Sequence, residues 1–276
     1  MKQIERQCCV CDADMSLYLG DIYRCDVCGY MSSFYSPGPG AEVEGVDAVR
    51  EKNFRQICHI LLEKFPKCKT ILDVGASRGT FVRIAVDYGF LVTALEPDLA
   101  LVDAMKQKGF EVIDGFFPGA IELTDKKFDV IIFNDSFEHI PNLLLVIDGV
   151  KKHLTPDGVA VVNLPSSDGF LFRCSLILAK VGMMAPWYRL WQKDMASPHL
   201  HYLNPRNLKR LFELHNFKQE YSRSLSYYVL SGLWKRISCA SSLLVAIPSW
   251  IILVTLYPLF CLKSDAVASF FSCNKN

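Results

Sequence analysis

Residues 70–81, TILDVGASRGTF, constrain the fold of this chain more than any other stretch. Ile71, Leu72 and Val74 form a short apolar run of the kind a buried strand carries. Gly75, Ala76, Ser77 and Gly79 make a loop of mostly small residues around Arg78, and Phe81, Val82, Ile84 and Ala85 open an amphipathic helix. The order predicted is strand, tight turn, helix. Small residues let a ligand approach the backbone closely, and the N–H groups at a helix N-terminus suit a negative group. Asp73 ends the strand, where its carboxylate is expected to hold a polar part of that ligand.

The same alternation continues downstream. Apolar runs at 91–95, 111–113, 128–133 and 158–163 read as four more strands, the last following a turn at 155–158, with helices expected at 79–88, 99–108 and 142–153. Strands alternating with helices imply an α/β, doubly wound, Rossmann-like parallel sheet with right-handed crossovers. Ligands bind such sheets at the carboxyl ends of the strands, where Asp73, Glu96, Asp114 with Gly115, and Asn134 all fall. An acid ending the second strand, as Glu96 does, suits a ribose diol.

The order acid, glycine, small, small, x, glycine differs from the G-x-G-x-x-G of dinucleotide sites. It resembles the first motif of class I S-adenosylmethionine-dependent methyltransferases, with Asp73, Gly75 and Gly79 on the motif and Ser77 in place of the central glycine. The resemblance implies S-adenosyl-L-methionine as cofactor, with Asp73, Gly75, Ser77 and Gly79 at its methionine end, Glu96 at the ribose, Asp114 and Gly115 on the adenine side, and Asn134 at the end of the fourth strand. A cysteine-pair ribbon, a Pro-containing linker, D-V-G-A-S-x-G, E-H-x-P and H-L-x-x-L before a helix follow one another as in many bacterial proteins of the type-11/12 or "methyltransferase 23" group. That resemblance covers residues 8–230 and implies a role in surface-polysaccharide or lipid-linked glycan synthesis.

Residues 134–142, NDSFEHIPN, bear on the acceptor. Methyltransferases of planar amines resemble one another in an Asn/Asp-Pro-Pro-aromatic motif at this place, and the chain has no paired prolines there. The Glu-His-x-Pro run is instead similar to small-molecule and sugar O-methyltransferases. A hydroxyl nucleophile must lose its proton, and an imidazole that titrates near neutrality can take it. His139 is therefore the candidate base and Glu138 its catalytic neighbour; the competing expectation is that both only order the loop before Pro141.

Cys8-x-x-Cys11 and Cys25-x-x-Cys28 have the spacing of a closed four-thiolate zinc site on two knuckles, with Gly29 supplying the second turn and Cys9 a bystander. Asp12, Asp14, Asp21 and Asp26 outnumber Arg24, so the expected zinc ribbon is not suited to nucleic acid, and a net charge of +1 gives the chain no global attraction to it. A structural cap is expected of the ribbon, with substrate or partner contact as the alternative. The breaker cluster 36–40, SPGPG, reads as a linker, and 46–65 as a helix that could help close the cofactor site. The polar opening of the chain leads to the expectation of a cytoplasmic protein.

After the fifth strand, residues 166–195 form an apolar helical insert containing Trp187, Tyr188 and Trp191. These rings could stack on a sugar, sit at a bilayer interface or pack in a core. His199 and His201 precede a helix expected at 205–215 and are candidate acceptor contacts, with Trp187. Residues 237–262 carry no charge and are flanked by Lys235, Arg236 and Lys263. They are long enough to cross a bilayer, but Pro248 and Pro258 favour a hairpin on the inner face of the cytoplasmic membrane. Such a hairpin would return residues 265–273 to the sheet as its last strand. The division expected is ribbon and linker 1–40, methyltransferase domain 41–232, and membrane-associated hairpin with last strand 233–276. The function expected is O-methylation of a sugar or lipid-linked glycan. The alternatives are a quinone- or phenol-type acceptor, and a non-catalytic zinc-ribbon module on a relic fold.

Overall fold

The structure is a computed structural model that describes residues 6–40, 45–226, 230, 232–238, 243–255, 257–258 and 264–274. Along the chain run β1 (Arg6–Gln7), β2 (Asp14–Leu19), β3 (Ile22–Cys25), β4 (Met31–Ser32), α1 (Asp47–Lys64), β5 (Thr70–Val74) and α2 (Thr80–Asp87). Then come β6 (Leu91–Glu96), α3 (Leu99–Gln107), β7 (Glu111–Asp114), β8 (Phe128–Asn134), α4 (Leu143–His153) and β9 (Leu154–Pro165). The last third holds α5 (Phe170–Lys180), α6 (Ala185–Leu190), β10 (His201–Tyr202), α7 (Pro205–Leu214), β11 (Phe217–Leu225), α8 (Leu233–Ser238), α9 (Leu243–Thr255) and β12 (Ala266–Cys273).

The chain packs as two compact units that interleave in sequence. One comprises Met1–Asn53, Pro165–Asn204 and Ser224–Val267, the other Phe54–Leu164, Pro205–Arg223 and Ala268–Asn276. These units do not follow the linear division at 40 and 232. The reason is apolar burial: the ribbon strands and the insert after β9 share one core, so they cannot be separate pieces.

The second unit is built on a seven-stranded sheet in the order β11-β12-β9-β8-β5-β6-β7. The pairs β5–β6, β5–β8, β6–β7 and β8–β9 are parallel, as the strand–helix alternation requires. Strands in the middle of a parallel sheet are covered on both faces and so read as near-continuous apolar runs. Ile71, Leu72, Val130, Ile131, Ile132, Phe133, Val159, Ala160, Val161 and Val162 are all fully buried. Polar caps start α3 and α4. Asp98 accepts from the N–H groups of Ala100 and Leu101 to begin α3, and Asn142 accepts from Leu145 to begin α4. The expected turn at 155–158 is absorbed into a longer β9. Strand β12 enters between β9 and β11, where the last strand was expected, and Phe271 stacks on Phe212 of α7 with ring centroids 4.1 Å apart.

The first unit has a five-stranded sheet, β1-β2-β3-β4-β10, with antiparallel pairing throughout. Strand β10 arrives some 170 residues after β4 and pairs His201 with Ser32 and Tyr202 with Met31. Helices α5 and α6 bury Phe172, Ala179 and Trp187 against Ile22, Met31 and Tyr202 of that sheet. The segment 36–40 is not a free linker. Gly38 donates to Met195 O, Gly40 to Asp194 O, and Ala196 back to Gly40 O. A Cβ on Gly38 would come within 2.5 Å of the Asp194 backbone, so the approach requires glycine there. Among the described residues no helix is long and apolar enough to cross a membrane. Helix α9, at 13 residues, reaches about 20 Å against a hydrocarbon layer of about 30 Å.

Asp129, at the start of β8, ties the amino ends of the central strands together. Its carboxylate accepts from the N–H of Lys69 (2.9 Å) and Thr70 (3.0 Å) and from the hydroxyls of Thr70 and Thr155. Burial pushes this carboxyl up, and the donors of Thr70, Lys69 and Thr155 outweigh it and hold it below the usual carboxylate value. A depressed folded-state value means the stabilisation is present above about pH 4 and is lost as pH falls through the folded value. Asp129→Ala is expected to cost about 3 kcal/mol in urea unfolding near neutral pH, and less in acid.

Candidate active site

The carboxyl ends of β5, β6, β7, β8 and β9 bring together the polar residues singled out in the sequence. Asp73 is buried (1 % exposed) at the end of β5. Asn134 Nδ2, on β8, donates to Asp73 Oδ1 at 3.4 Å, and Asn163 Nδ2, on β9, donates to Asn134 Oδ1 at 3.4 Å. Three adjacent strands thus end in one polar row. Burial is the largest cause that pushes the Asp73 carboxyl up to about 7; the nearby Glu96 charge adds to it and the Asn134 hydrogen bond opposes it. A carboxyl in that state favours a cationic or hydrogen-bonding neighbour.

The loop after β5 is held in an open curve. Gly75 has φ +75° and a Cβ there would lie 2.9 Å from Cβ of Ser136; Ser77 has φ +51°, and Gly79, with φ +76°, starts α2. Serine adopts the left-handed conformation at Ser77, so the departure from the glycine pattern does not change the course of the loop. Glu96 fastens it: one carboxylate oxygen accepts from Ser77 N at 2.8 Å and the other from Asp98 N at 3.1 Å. A carboxylate can accept about four hydrogen bonds, so both oxygens can bond a diol while holding the loop. Gly115 N donates to Glu96 O, joining the exit of β7, where Asp114 is exposed, to the end of β6.

Beyond β8 the chain turns at Asp135 (φ +51°) into the short helical turn Phe137–His139. Ser136 Oγ donates to Val74 O at 2.6 Å, which holds this turn to the end of β5. Glu138 is 1 % exposed and His139 is half-buried three residues from the serine that meets Gly75. Sequence reasoning missed Ser136 and Asn163. Asn163 carried a legible signal, since it ends a buried apolar strand in the same way as Asn134.

The other candidates belong to the first unit. Trp187 is fully buried against Phe172 and Trp191, at centroid distances of 5.3 and 5.9 Å, so it packs in the core of the first unit. His201 is buried, with Nδ1 in a hydrogen bond to the Tyr30 hydroxyl and its ring stacked on Tyr30. His199 is buried with Nε2 2.9 Å from Gln192 Nε2, and its backbone oxygen accepts from Ser33 Oγ. These contacts give both histidines structural work within the first unit.

The four cysteines Cys8, Cys11, Cys25 and Cys28 put their sulfurs within 4.8 Å of one another, with Cys8–Cys28 at 3.5 Å and Cys11–Cys25 at 3.4 Å. A tetrahedron with metal–sulfur bonds of about 2.3 Å has sulfurs about 3.8 Å apart, so the quartet fits a zinc-sized ion. Each knuckle closes through a left-handed residue, Asp12 (φ +58°) and Gly29 (φ +74°), as expected at Gly29. Burial pushes the Cys8 thiol far up and the Cys28 thiol up to about 11. Cys8 and Cys25 are buried and Cys11 and Cys28 half-buried, and a cation would hold the four sulfurs together as thiolates. Cys9 is outside the quartet.

Comparison with known proteins agrees with this geometry. The family described as "Methyltransferase domain" matches residues 47–221. A ubiquinone biosynthesis O-methyltransferase of Rickettsia bellii is 24 % identical over 169 residues, 59 % of this chain and 68 % of that protein. Among solved structures, the plantazolicin methyltransferase BpumL in complex with S-adenosylhomocysteine superposes with a TM-score of 0.51 at 12 % identity, covering 83 % of this chain and 86 % of that one. A chain from the complex of the Haloferax volcanii Trm112 methyltransferase activator with its methyltransferase gives 0.56 at 11 % identity, covering 84 % and 95 %. At these identities the structures speak for the fold.

The raised Asp73 value makes a testable difference in the ligand-free protein. Below about pH 4 the group is protonated both folded and unfolded and costs nothing. Between about 4 and 7 the unfolded chain ionises first, so stability falls as pH rises, and above 7 the whole cost is present. Asp73→Asn is therefore expected to stabilise the ligand-free protein by on the order of 2 kcal/mol at about pH 8 and hardly at all at about pH 4. Urea unfolding of both proteins at the two pH values measures it; an equal difference at both would show that Asp73 does not carry this cost.

Proposed function

The chain belongs to the methyltransferase domain family and is a class I S-adenosylmethionine-dependent methyltransferase, and from that premise we propose that it O-methylates a hydroxyl of a sugar on a lipid-linked glycan. The observation that carries the oxygen chemistry is the turn Phe137–His139: an imidazole stands beyond β8, on a turn held to the end of β5 by Ser136, beside the glycine loop. The row Asp73–Asn134–Asn163, Gly75, Ser77, Gly79, Glu96, Asp114 and Gly115 would hold S-adenosyl-L-methionine, which supplies an electrophilic methyl group when bound. Methyl transfer is an in-line displacement, so the chain mainly orients the reactants. His139 accepts the hydroxyl proton as the oxygen attacks, and Glu138 orients the imidazole. The absence of paired prolines after Asn134 supports oxygen over a planar nitrogen. The glycan rests on the resemblance in motif order to bacterial surface-glycan methyltransferases.

A second reading, a quinone- or phenol-type acceptor, is favoured by one observation: the curated relatives are named ubiquinone biosynthesis O-methyltransferases. Release of S-adenosylhomocysteine with a lipid-linked sugar and with a demethylated quinol, assayed side by side, distinguishes the two. His139→Ala is expected to lower kcat by about 10²–10³ with the acceptor that is used, leaving S-adenosylhomocysteine affinity unchanged. Nearly full turnover in that variant would remove His139 from the base role.

We further propose that Cys8, Cys11, Cys25 and Cys28 hold a structural zinc ion that stabilises the five-stranded sheet and the core of the insert. Metal analysis should find about one zinc per chain, and Cys25→Ser should lose it. Because β3 and β4 join β10 and the buried tryptophans, the same variant should shift the fluorescence of Trp187 and Trp191 to the red. A full zinc load in Cys25→Ser would exclude this ligand set.

A further inference from the structure

Helices α8 and α9 form a pair, and α9 exposes apolar side chains. Trp234 and Trp250 meet edge to face, with centroids 6.4 Å apart, and both remain partly exposed. Along α9, Leu243, Leu244, Ile247, Trp250 and Ile251 recur at helical spacing and are all exposed, Leu244 at 89 %, while Ala246 is buried. No charged residue interrupts the sequence from 237 to 262, and Lys235, Arg236 and Lys263 flank it.

The base of this segment is pinned on both sides. Asn53 pairs reciprocally with Ser226, donating to its oxygen at 2.7 Å and accepting from its N–H at 3.1 Å. Ser264 Oγ donates to Leu225 O, so the outgoing and returning chains touch. The buried Asp265 accepts from Ser166 N through its backbone oxygen (2.8 Å) and from Phe172 N, at the start of α5, through its carboxylate (3.1 Å). A Cβ on Gly169 would collide with the Asp265 carboxylate, so that closure depends on glycine. The chain leaves and returns at one place and continues as β12 in the sheet, while α9 alone is too short to cross a bilayer.

We propose that the exposed stripe of α9, with Trp234 of α8, lies along an anionic lipid surface on the face of the membrane where the enzyme stands. A helix uncharged on every side, with indoles at its edge and cations at its two ends in sequence, has the chemistry of an interfacial anchor. The pins at Leu225–Ser226 and Ser264–Asp265 fix the hairpin to the core of its own unit, so lipid contact positions that unit directly. This surface does not depend on the acceptor proposed above. Turnover on a detergent-dispersed acceptor tests the reaction, and vesicle binding tests the surface.

The experiment is flotation of the purified full chain with vesicles of phosphatidylcholine and of phosphatidylcholine mixed with phosphatidylglycerol, with sedimentation analysis alongside. The chain is expected to float with the mixed vesicles and roughly tenfold less with the neutral ones. Leu244→Glu combined with Ile251→Glu should abolish flotation while S-adenosylhomocysteine binding is kept, because both side chains are exposed. Lys235→Glu should reduce only the preference for anionic lipid. No flotation of the wild type, or unchanged flotation of the double variant, would overturn the proposal. So would a dimer that the double substitution disperses without changing flotation, which would make a second copy of the chain the occupant of the stripe.

Discussion

A carboxyl removed from water, Asp73, organises the working edge of the sheet. It lies at the carboxyl end of the inner strand β5, and the two strands on one side of it answer in turn: Asn134 of β8 donates to Asp73 and Asn163 of β9 donates to Asn134. The row needs the parallel register in which Asn134 stands opposite Asn163. That register in turn needs the apolar residues beneath to be buried on both faces. The polar edge is therefore a consequence of how the core packs, and it places the chemistry where a parallel sheet leaves a crevice.

The glycine loop and Glu96 complete that edge. Gly75 and Gly79 take left-handed conformations because the chain must turn sharply between the strand and α2, and at Gly75 the space is already taken by Ser136. Glu96 accepts two backbone N–H groups that would otherwise point at solvent or ligand, and in doing so fixes the loop to the end of β6. The same side chains that would bind the cofactor thus also shape its site, so the cofactor residues are legible as structure before they are legible as function.

The sheet was readable in the sequence because its signals are local. A short apolar run, a terminal acid or amide and a following turn each occupy one window, and the strand at 265–273 followed from the need to complete the sheet. The interleaving of the units was not readable. The pairing of His201 with Ser32, the annealing of Gly38 and Gly40 onto Asp194 and Met195, and the burial of Trp187 beneath the ribbon join segments some 155 to 170 residues apart. Composition offered three fates for Trp187, and only packing decides among them. The histidines show the same limit: that His199 would meet Gln192 and His201 would meet Tyr30 could not be read from their place before a helix.

The loop after β5 and Glu96 would together form the cofactor site, and calorimetry with S-adenosylhomocysteine tests this most directly. Gly75→Ala puts a Cβ against Ser136 at φ +75°, and Glu96→Ala frees the loop and removes the diol acceptor. The wild type should bind, and each variant should bind at least about tenfold more weakly while its unfolding remains cooperative. A wild type that does not bind, or variants that bind as it does, would contradict the assignment.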